Sequence, residues 1–176
     1  AQATGRRIGL YPETKLAAHF AERGLALEAP LVRTLYAAGW GKADDPVLLQ
    51  SFEPESLRKL ARLTDLRRVQ LAGERHPLDV AALRAIAGYA QGIGVAKALV
   101  IPRLPGGALG APTPLVAQAH AAGLAVHAWT FRREPNFLPT GIDGEEELRR
   151  FLATGLDGVF TDHPGAAVAL RNALLR

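Results

Sequence analysis

The chain contains neither cysteine nor methionine among its 176 residues. The absence of cysteine excludes disulfides, thiolate catalysis and Cys-ligated zinc, and it is compatible with any cellular compartment. No apolar run reaches the roughly 20 residues that a membrane-spanning helix needs, and no signal peptide is visible. Because the chain also begins at Ala1, the absence of methionine hints that it is a piece of something longer.

Glycine-rich nucleotide fingerprints are also missing. No GxGxxG sequence follows a predicted strand, since Gly92 and Gly94 lack the strand-then-helix context, and there is no Walker motif. The net charge is +4 with a pI near 9.8. The excess of basic residues comes from scattered arginines and forms no long block, so we expect no nucleic-acid partner.

The residues that are present suit one globular domain, because 48% are hydrophobic and 22% are charged. Short apolar runs alternate with amphipathic stretches along the chain. The predicted strands are 7–10, 47–51, 68–71, 98–101, 124–130 and 158–161. The predicted helices are 16–23, 30–38, 54–63, 78–89, 114–122, 145–153 and 166–175.

Local signals mark the ends of these helices. Proline or acidic residues occupy several first turns, and glycines follow several last turns, namely Gly24, Gly39, Gly123 and Gly155. Strand and helix alternate about six times without an Asn-Gly hairpin signal, which predicts a parallel sheet of α/β units. The Gly- and Pro-rich stretch 102–113 is interpreted as a mobile loop.

The most informative stretch is IGLYPETK at residues 8–15. Side chains two residues apart in a strand point the same way, so Tyr11, Glu13 and Lys15 are predicted to project together from the end of the first strand. The carboxylate could hold a hard cation and the amine could contact a phosphate. The alternative is a surface ion pair at a strand end.

Other polar or aromatic residues also lie at or just beyond predicted strand ends. They are Gln50, Phe52, Glu74, Trp129 and Asp162. The carboxyl ends of the strands carry catalysis in (β/α)₈ barrels and bind ligands in doubly wound sheets. From the residues alone, however, Trp129 could equally be a packing residue, Gln50 a core amide bonded to backbone, Asp162 a helix N-cap and Glu74 a solvated loop residue.

Four motifs carry a resemblance to a known family. They are YPETK at 11–15, LLQSFEPESL at 48–57, LVAQAHAAGLAVHAWTFRRE at 115–134 and GLDGVFTDHP at 155–164. In this order and spacing they resemble the glycerophosphodiester phosphodiesterase family, especially its bacterial periplasmic-type branch. The resemblance implies a TIM (β/α)₈ barrel that binds Ca²⁺ or Mg²⁺. It also implies an enzyme of lipid and glycerol metabolism, a phosphoric diester hydrolase that releases glycerol 3-phosphate and an alcohol.

The resemblance also assigns roles to residues of this chain. Glu13 is expected to be a metal ligand, and Lys15 a catalytic residue that contacts the substrate phosphate. Gln50, Phe52 and Trp129 are expected to bind the substrate, the two aromatic rings forming apolar walls on the glycerol side. Asp162 would shape the last loop of the rim.

The chain departs from the family in the motifs that perform proton transfer. The His-Arg-Gly, Glu-x-Asp and His-Asp motifs of the family, which carry its catalytic histidines and other metal carboxylates, are absent. The five histidines lie elsewhere, two of them in helices (His19 and His120), one in a loop (His76), one in a strand (His127) and one in the last turn (His163). His120 and His163 are interpreted as surface or capping residues. His127 is interpreted as a core histidine, and the alternative is that it faces the barrel interior near the site, because it shares strand parity with Trp129.

About six strands are visible where a closed barrel needs eight. We therefore expect residues 1–176 to be the C-terminal part of a single barrel domain, with the N-terminal portion lost or carried separately and the fragment alone inactive. The expected location, by resemblance, is periplasmic or secreted. Two alternatives remain open, a non-catalytic binding or scaffold module derived from the barrel and a phospholipase D of the sphingomyelinase type.

Overall fold

The computed structural model describes residue 5 and residues 8–174. The described residues form five strands, β1 Leu48–Ser51, β2 Arg67–Ala72, β3 Gly92–Ala96, β4 Ala125–Phe131 and β5 Gly158–Thr161. Seven α-helices accompany them, α1 Ala17–Ala21, α2 Glu28–Ala37, α3 Pro54–Leu63, α4 Val80–Ala87, α5 Leu115–Ala121, α6 Gly144–Leu152 and α7 Pro164–Leu174. All seven predicted helices are confirmed, except that residue 175 of the last one lies outside the described residues.

The chain divides into two compact units, and the first comprises residues 1–71 and 85–92. Within it β1 pairs in parallel with β2, so that Leu49 lies opposite Arg68. The core of this unit is formed by buried aliphatic side chains, Val32, Leu35, Val47, Leu49, Leu57, Leu60 and Leu66. Val32 and Leu35 of α2, and Leu57 and Leu60 of α3, are three residues apart, so each helix places both of its residues on the face that packs into this core.

The predicted first strand, residues 7–10, needs correction. Residue 7 lies outside the described residues, and the following segment pairs with β1 through two isolated parallel bridges, Leu10 with Val47 and Glu13 with Gln50. Hydrogen bonds run from Leu48 N to Leu10 O, at 2.9 Å, and from Thr14 N to Gln50 O, at 3.0 Å. Pro12 between them has no N–H to donate, which explains why the pairing is interrupted.

The second unit comprises residues 72–84 and 93–176. Its strands follow the order β3, β4, β5, and β4 pairs in parallel with β5. The register between β4 and β5 shifts between Ala128 and Phe131. The Phe131 ring meets the buried Phe151 ring of α6 edge to face, with centroids 5.0 Å apart, and so joins the helix to the sheet.

The strand predicted at 98–101 is wrong. The strand is β3, Gly92–Ala96, and Lys97–Leu99 form a 3₁₀ turn closed by hydrogen bonds from Val100 N and Ile101 N to Lys97 O. The sequence GIGVA has a low strand propensity because of its glycines. All five of its residues are nevertheless buried, so packing on both faces of the sheet decides the conformation.

The loop at residues 102–113 is internally hydrogen bonded. Leu104 N donates to Ala108 O at 2.8 Å, and an antiparallel bridge joins Arg103 to Leu109. At the tip, Gly107 has φ +86°, and a Cβ there would lie 2.6 Å from Thr140 Oγ1. Only glycine fits this position without strain.

None of the helices in the described residues is long and apolar enough to cross a membrane.

Candidate active site

Glu13 and Lys15 flank a buried threonine that fixes their backbone. Thr14 Oγ1 lies 2.8 Å from Ser56 Oγ, and Ser51 Oγ donates to Thr14 O at 2.8 Å. Glu13 and Lys15 are both exposed while Thr14 is buried, which is the two-residue alternation that the sequence predicts. The backbone is thus held from both β1 and α3, and the two charged side chains extend away from the core.

Neither charged side chain is engaged by the described part of the chain. The Glu13 carboxylate and the Lys15 ammonium make no hydrogen bond or ion pair with a described residue, so the alternative of a surface ion pair is wrong. Both groups are therefore available to a ligand. Because they are exposed, keeping them unpaired carries little desolvation penalty.

Gln50 lies directly opposite Glu13 and is nine-tenths buried. Its Nε2 donates to Tyr11 O at 3.4 Å, which confirms the prediction of an amide bonded to backbone. Its Oε1 is buried and has no hydrogen-bond partner among the described residues. A buried carbonyl oxygen without a donor costs about 1–3 kcal/mol.

Two aromatic residues, Tyr11 and Phe52, belong to the segments that lie at the end of β1. Burial raises the pKa of the Tyr11 phenol above its usual range, and the charge of Arg67 opposes that shift. Phe52 follows β1 directly and its side chain is partly exposed.

Gln70, which the sequence analysis overlooked, anchors the end of β1. Its buried Nε2 donates to Ser51 O, Phe52 O and Leu71 O at 3.3, 3.1 and 3.0 Å. Its Oε1 accepts from the Tyr89 hydroxyl at 2.8 Å. The sequence could have indicated this role, because Gln70 stands among the apolar residues of β2 and a buried amide must form hydrogen bonds.

In the second unit, Trp129 lies in β4 and is half-buried. His127, two residues earlier, is also half-buried, and its ring meets Phe160 with centroids 6.4 Å apart. Gly158 permits this packing because a Cβ there would lie 2.8 Å from His127 Cδ2. His127 is therefore a packing residue of the β4–β5 pair, although less buried than a core histidine.

Three predicted loop residues now have defined surroundings. Asp162 Oδ2 lies 2.9 Å from Arg132 Nε, an ion pair that the sequence did not suggest. His163 Nε2 lies 3.8 Å from Glu134 Oε2. Glu74 is exposed, as predicted, and it lines a cleft in the second unit.

This cleft contains a buried ion pair that the sequence analysis missed. Lys97 Nζ lies 2.7 Å from Glu147 Oε1, and Arg103 Nη2 lies 4.0 Å from the same oxygen. The Glu147 side chain is fully buried, and its Oε2 has no hydrogen-bond partner among the described residues. Glu147 shares the buried face of α6 with Leu148 and Phe151, so an acidic residue at a core position was the signal.

The possible metal ligands in the described part of the chain do not gather into a site. In residue 5 and residues 8–174, no group of three or more His, Asp or Glu side chains is placed to hold a cation. His120, confirmed as a surface residue, instead pairs with Asp157 at 2.9 Å. A cation bound at Glu13 would therefore need further ligands from outside the described residues.

A sequence model of the glycerophosphoryl diester phosphodiesterase family matches residues 9–166. The chain belongs to this family. It is 29% identical, over 92% of its length, to a glycerophosphodiester phosphodiesterase of Arabidopsis thaliana, of which it covers 50%. The chain thus spans about half the length of the curated relatives that it matches.

Solved structures of the family have the same fold. A glycerophosphodiester phosphodiesterase from Parabacteroides distasonis superposes with a TM-score of 0.67 at 14% identity, over 97% of this chain and 60% of its own. An Oleispira antarctica phosphodiesterase in complex with the product sn-glycerol-3-phosphate gives 0.64 at 21% identity, over 94% and 56%. The predicted TIM-barrel class is therefore confirmed, and this chain supplies part of such a barrel.

Proposed function

We propose that the complete protein containing this chain hydrolyses glycerophosphodiesters to glycerol 3-phosphate and an alcohol. The observation that carries the proposal is the unengaged pair of Glu13 and Lys15, held on a buried threonine within the region that matches the family. The Oleispira relative in complex with sn-glycerol-3-phosphate supports the choice of product.

The roles proposed for this chain follow from the chemistry of its side chains. Lys15 contacts the phosphate as a point cation and opposes the charge that develops on its oxygens. By resemblance to the family, Gln50 is proposed as a polar contact to the substrate and the exposed Phe52 as an apolar wall on the glycerol side. Trp129 is proposed as a second aromatic wall by resemblance to the family.

A divalent cation, Ca²⁺ or Mg²⁺, is proposed for the complete protein, with Glu13 as one ligand. Such ions take six or more oxygen ligands, whereas no group of three candidate ligands occurs in the described residues. The residues present therefore do not make a cation site by themselves.

Proton transfer is also incomplete in this chain. The family's catalytic histidine motifs are absent from the sequence, and His120 is paired with Asp157. The role proposed for this chain is therefore to provide phosphate electrostatics, with the general acid and base supplied by the rest of the barrel. We propose that the 176-residue chain alone does not turn over substrate.

A further N-terminal portion of the same barrel is proposed as the partner that completes the site. It is supported by β5, which stands last in the strand order and is only half-buried at every residue. A cleft of about 760 Å³ beside β5 is lined by apolar side chains that include Leu152, Val159 and Val168. An added strand would pair the free edge and cover these side chains.

The test compares the 176-residue chain with the longest natural form of the protein, using glycerophosphocholine as substrate and release of glycerol 3-phosphate as the readout. The long form should be active, and Lys15→Met should abolish most of its activity. Lys42→Met is the matched control, since Lys42 is exposed and is not in the proposed site. An inactive long form would overturn the proposed function, and it would favour a non-catalytic module derived from the barrel.

The proposed location is periplasmic or secreted, and its support is the resemblance to the periplasmic-type branch. Fractionation of the source cells, followed by detection of the natural protein with an antibody, tests this proposal. Recovery of the protein only with cytoplasmic markers would contradict it.

A further inference from the structure

A buried glutamine supports the turn that follows β1, residues 51–53, which we call the rim turn. The pairing of β1 with β2 ends where Ser51 lies opposite Gln70. From there the Gln70 side chain acts as the donor, since its Nε2 donates to Ser51 O, Phe52 O and Leu71 O at 3.3, 3.1 and 3.0 Å. Gln70 is only 4% exposed, so removing this donor would leave buried carbonyl oxygens unsatisfied.

The orientation of the Gln70 amide is fixed from its other side. Its Oε1 accepts from the Tyr89 hydroxyl at 2.8 Å. The Tyr89 ring is in turn covered by the Arg58 guanidinium, which lies 4.8 Å from the ring centroid. Because the hydroxyl donates to Oε1, the Nε2 of the amide stays directed at the rim turn.

The rim turn also holds the segment that contains Lys15. Ser51 Oγ donates to Thr14 O at 2.8 Å, on the N-terminal side of Lys15. The Glu53 carboxylate accepts from Ala18 N at 2.8 Å, on the C-terminal side. Ser51 Oγ also accepts from Glu53 N at 3.2 Å, so the two supports are joined within one turn. A shift of the rim turn would therefore move Lys15 as well.

We propose that Gln70 is a positioning residue for the substrate site. It acts through the rim turn, which contains Phe52 and holds Lys15 from both sides. A buried amide that only packed could bond to any neighbouring carbonyl, whereas two of the three acceptors of Gln70 belong to the rim turn. A misplacement of about 1 Å at a reacting centre can cost roughly 100-fold in rate. The proposal rests on the proposed function for the roles of Lys15 and Phe52.

Steady-state hydrolysis of glycerophosphocholine by the complete protein tests the proposal. Gln70→Met keeps the bulk of the side chain and removes its donor, so it should raise KM through Phe52 and lower kcat roughly 10- to 100-fold through Lys15. Tyr89→Phe keeps the ring and should change both constants in the same direction by roughly 2- to 10-fold, the scale of one neutral hydrogen bond. Unchanged kcat and KM in Gln70→Met would overturn the proposal.

Gln91→Met is the matched control. The Gln91 Oε1 accepts from Arg68 N at 2.9 Å, so this amide also bonds to the backbone of β2, but nearer the beginning of the strand. Gln91→Met should leave kcat and KM within about two-fold of wild type. If Gln91→Met and Gln70→Met lose the same activity, any weakening of β2 lowers turnover and the positioning role is overturned.

A double variant identifies the route through Lys15. If Gln70 affects turnover by holding Lys15, the loss of kcat caused by Gln70→Met should nearly vanish in a Lys15→Met protein. The rise in KM through Phe52 should remain in both proteins. The same fold-loss of kcat with and without the lysine would refute this route.

Hydrogen exchange of the complete protein separates this inference from the proposed function. Gln70→Met should speed the exchange of the Glu53 and Ala18 amides roughly 10-fold. The Leu48 amide, which donates to Leu10 O at 2.9 Å, should keep its wild-type rate. If the complete wild-type protein is inactive, the proposed function fails, and faster exchange confined to Glu53 and Ala18 still supports the hold of Gln70 on the rim turn. Exchange that is unchanged, or that rises equally at Leu48, would overturn that hold.

Discussion

Removing Lys97 should destabilise the second unit far more than removing an exposed lysine. The Lys97 side chain is 18% exposed, whereas Glu147 is fully buried. Lys97→Met leaves that carboxylate without its partner at 2.7 Å, and Arg103 Nη2 lies farther away, at 4.0 Å. Breaking a buried pair in this way costs about 3–5 kcal/mol, and we expect the lower end because Lys97 retains some solvent.

Glu147→Gln should be milder, at about 1 kcal/mol. The amide oxygen can still accept from Lys97, and the new NH₂ group replaces an oxygen that has no partner among the described residues. In the double variant no charge remains buried, so its loss should be smaller than the sum of the two single losses. The expected coupling energy is about 1–2 kcal/mol.

The assay is urea unfolding of the four proteins of this cycle, followed by circular dichroism and fitted by linear extrapolation. A matched cycle with Arg150→Met and Glu146→Gln controls for the helix, because this pair is also 2.7 Å apart on α6 but is exposed. Its coupling should be only about 0.3–0.5 kcal/mol. Equal coupling in the two cycles would refute the argument that burial gives the Lys97 pair its strength.

Two other perturbations address a loop glycine and a titrating carboxylate. Gly107→Ala should lower the free energy of unfolding by about 1 kcal/mol or more beyond the loss in Gly106→Ala. Both glycines have positive φ, but of the two only a Cβ at residue 107 would meet Thr140 Oγ1, at 2.6 Å. Equal urea midpoints for the two variants would contradict this clash. Burial raises the pKa of Asp157, but hydrogen bonds from Val126 N and His120, with the charges of His120 and His127, more than offset it and hold the pKa below its ordinary value. A carboxylate with a lowered pKa stabilises the fold at pH values above its unfolded-state pKa of about 3.9, and this stabilisation is lost as the pH falls through the folded-state pKa. The difference in stability between wild type and Asp157→Asn should therefore shrink below about pH 4. A difference that stays constant from pH 6 to pH 2 would exclude this linkage.

The helices were predictable because their signals are local. Pro54 at the first turn and the apolar spacing of Leu57 and Leu60 define α3, which runs over the predicted residues 54–63. The acidic first turn predicts α6, and the structure adds the Asp143 side chain, which accepts from Glu145 N and Glu146 N. Caps and periodicity within one segment decide such elements.

Strand β3 was missed because its conformation depends on its neighbours in the sheet. Alternating glycines in GIGVA suggest a turn, while the next run, Ala98 to Ile101, has the apolar character of a strand. The whole of β3 is buried, and the next run turns at Lys97–Leu99 to place Val100 and Ile101 in the core. Local propensity is a weak guide where burial on both faces decides the outcome.

In the candidate site, too, some features follow from local sequence and others depend on residues far apart in the chain. The exposure of Glu13 and Lys15 on either side of the buried Thr14 follows from a two-residue period that the sequence predicts, whereas Tyr11, which was expected to project with them, is half-buried. The pairing of Lys97 with Glu147 joins residues 50 positions apart, so that no local pattern reports it. The roles of Glu13, Lys15, Gln50, Phe52 and Trp129 in binding stay predictions that depend on the complete protein.

The central claim is that Lys15 and Glu13 act separately on a phosphodiester. Steady-state hydrolysis of glycerophosphocholine by the complete protein, combined with calorimetric titration of Ca²⁺ and Mg²⁺, tests it most directly. Lys15→Met should lower turnover roughly 100- to 1,000-fold with unchanged cation affinity, whereas Glu13→Gln should weaken cation affinity and regain activity at high cation concentration. Equal loss of cation affinity in both variants, with the same rescue, would contradict the account and make Lys15 a structural partner of Glu13.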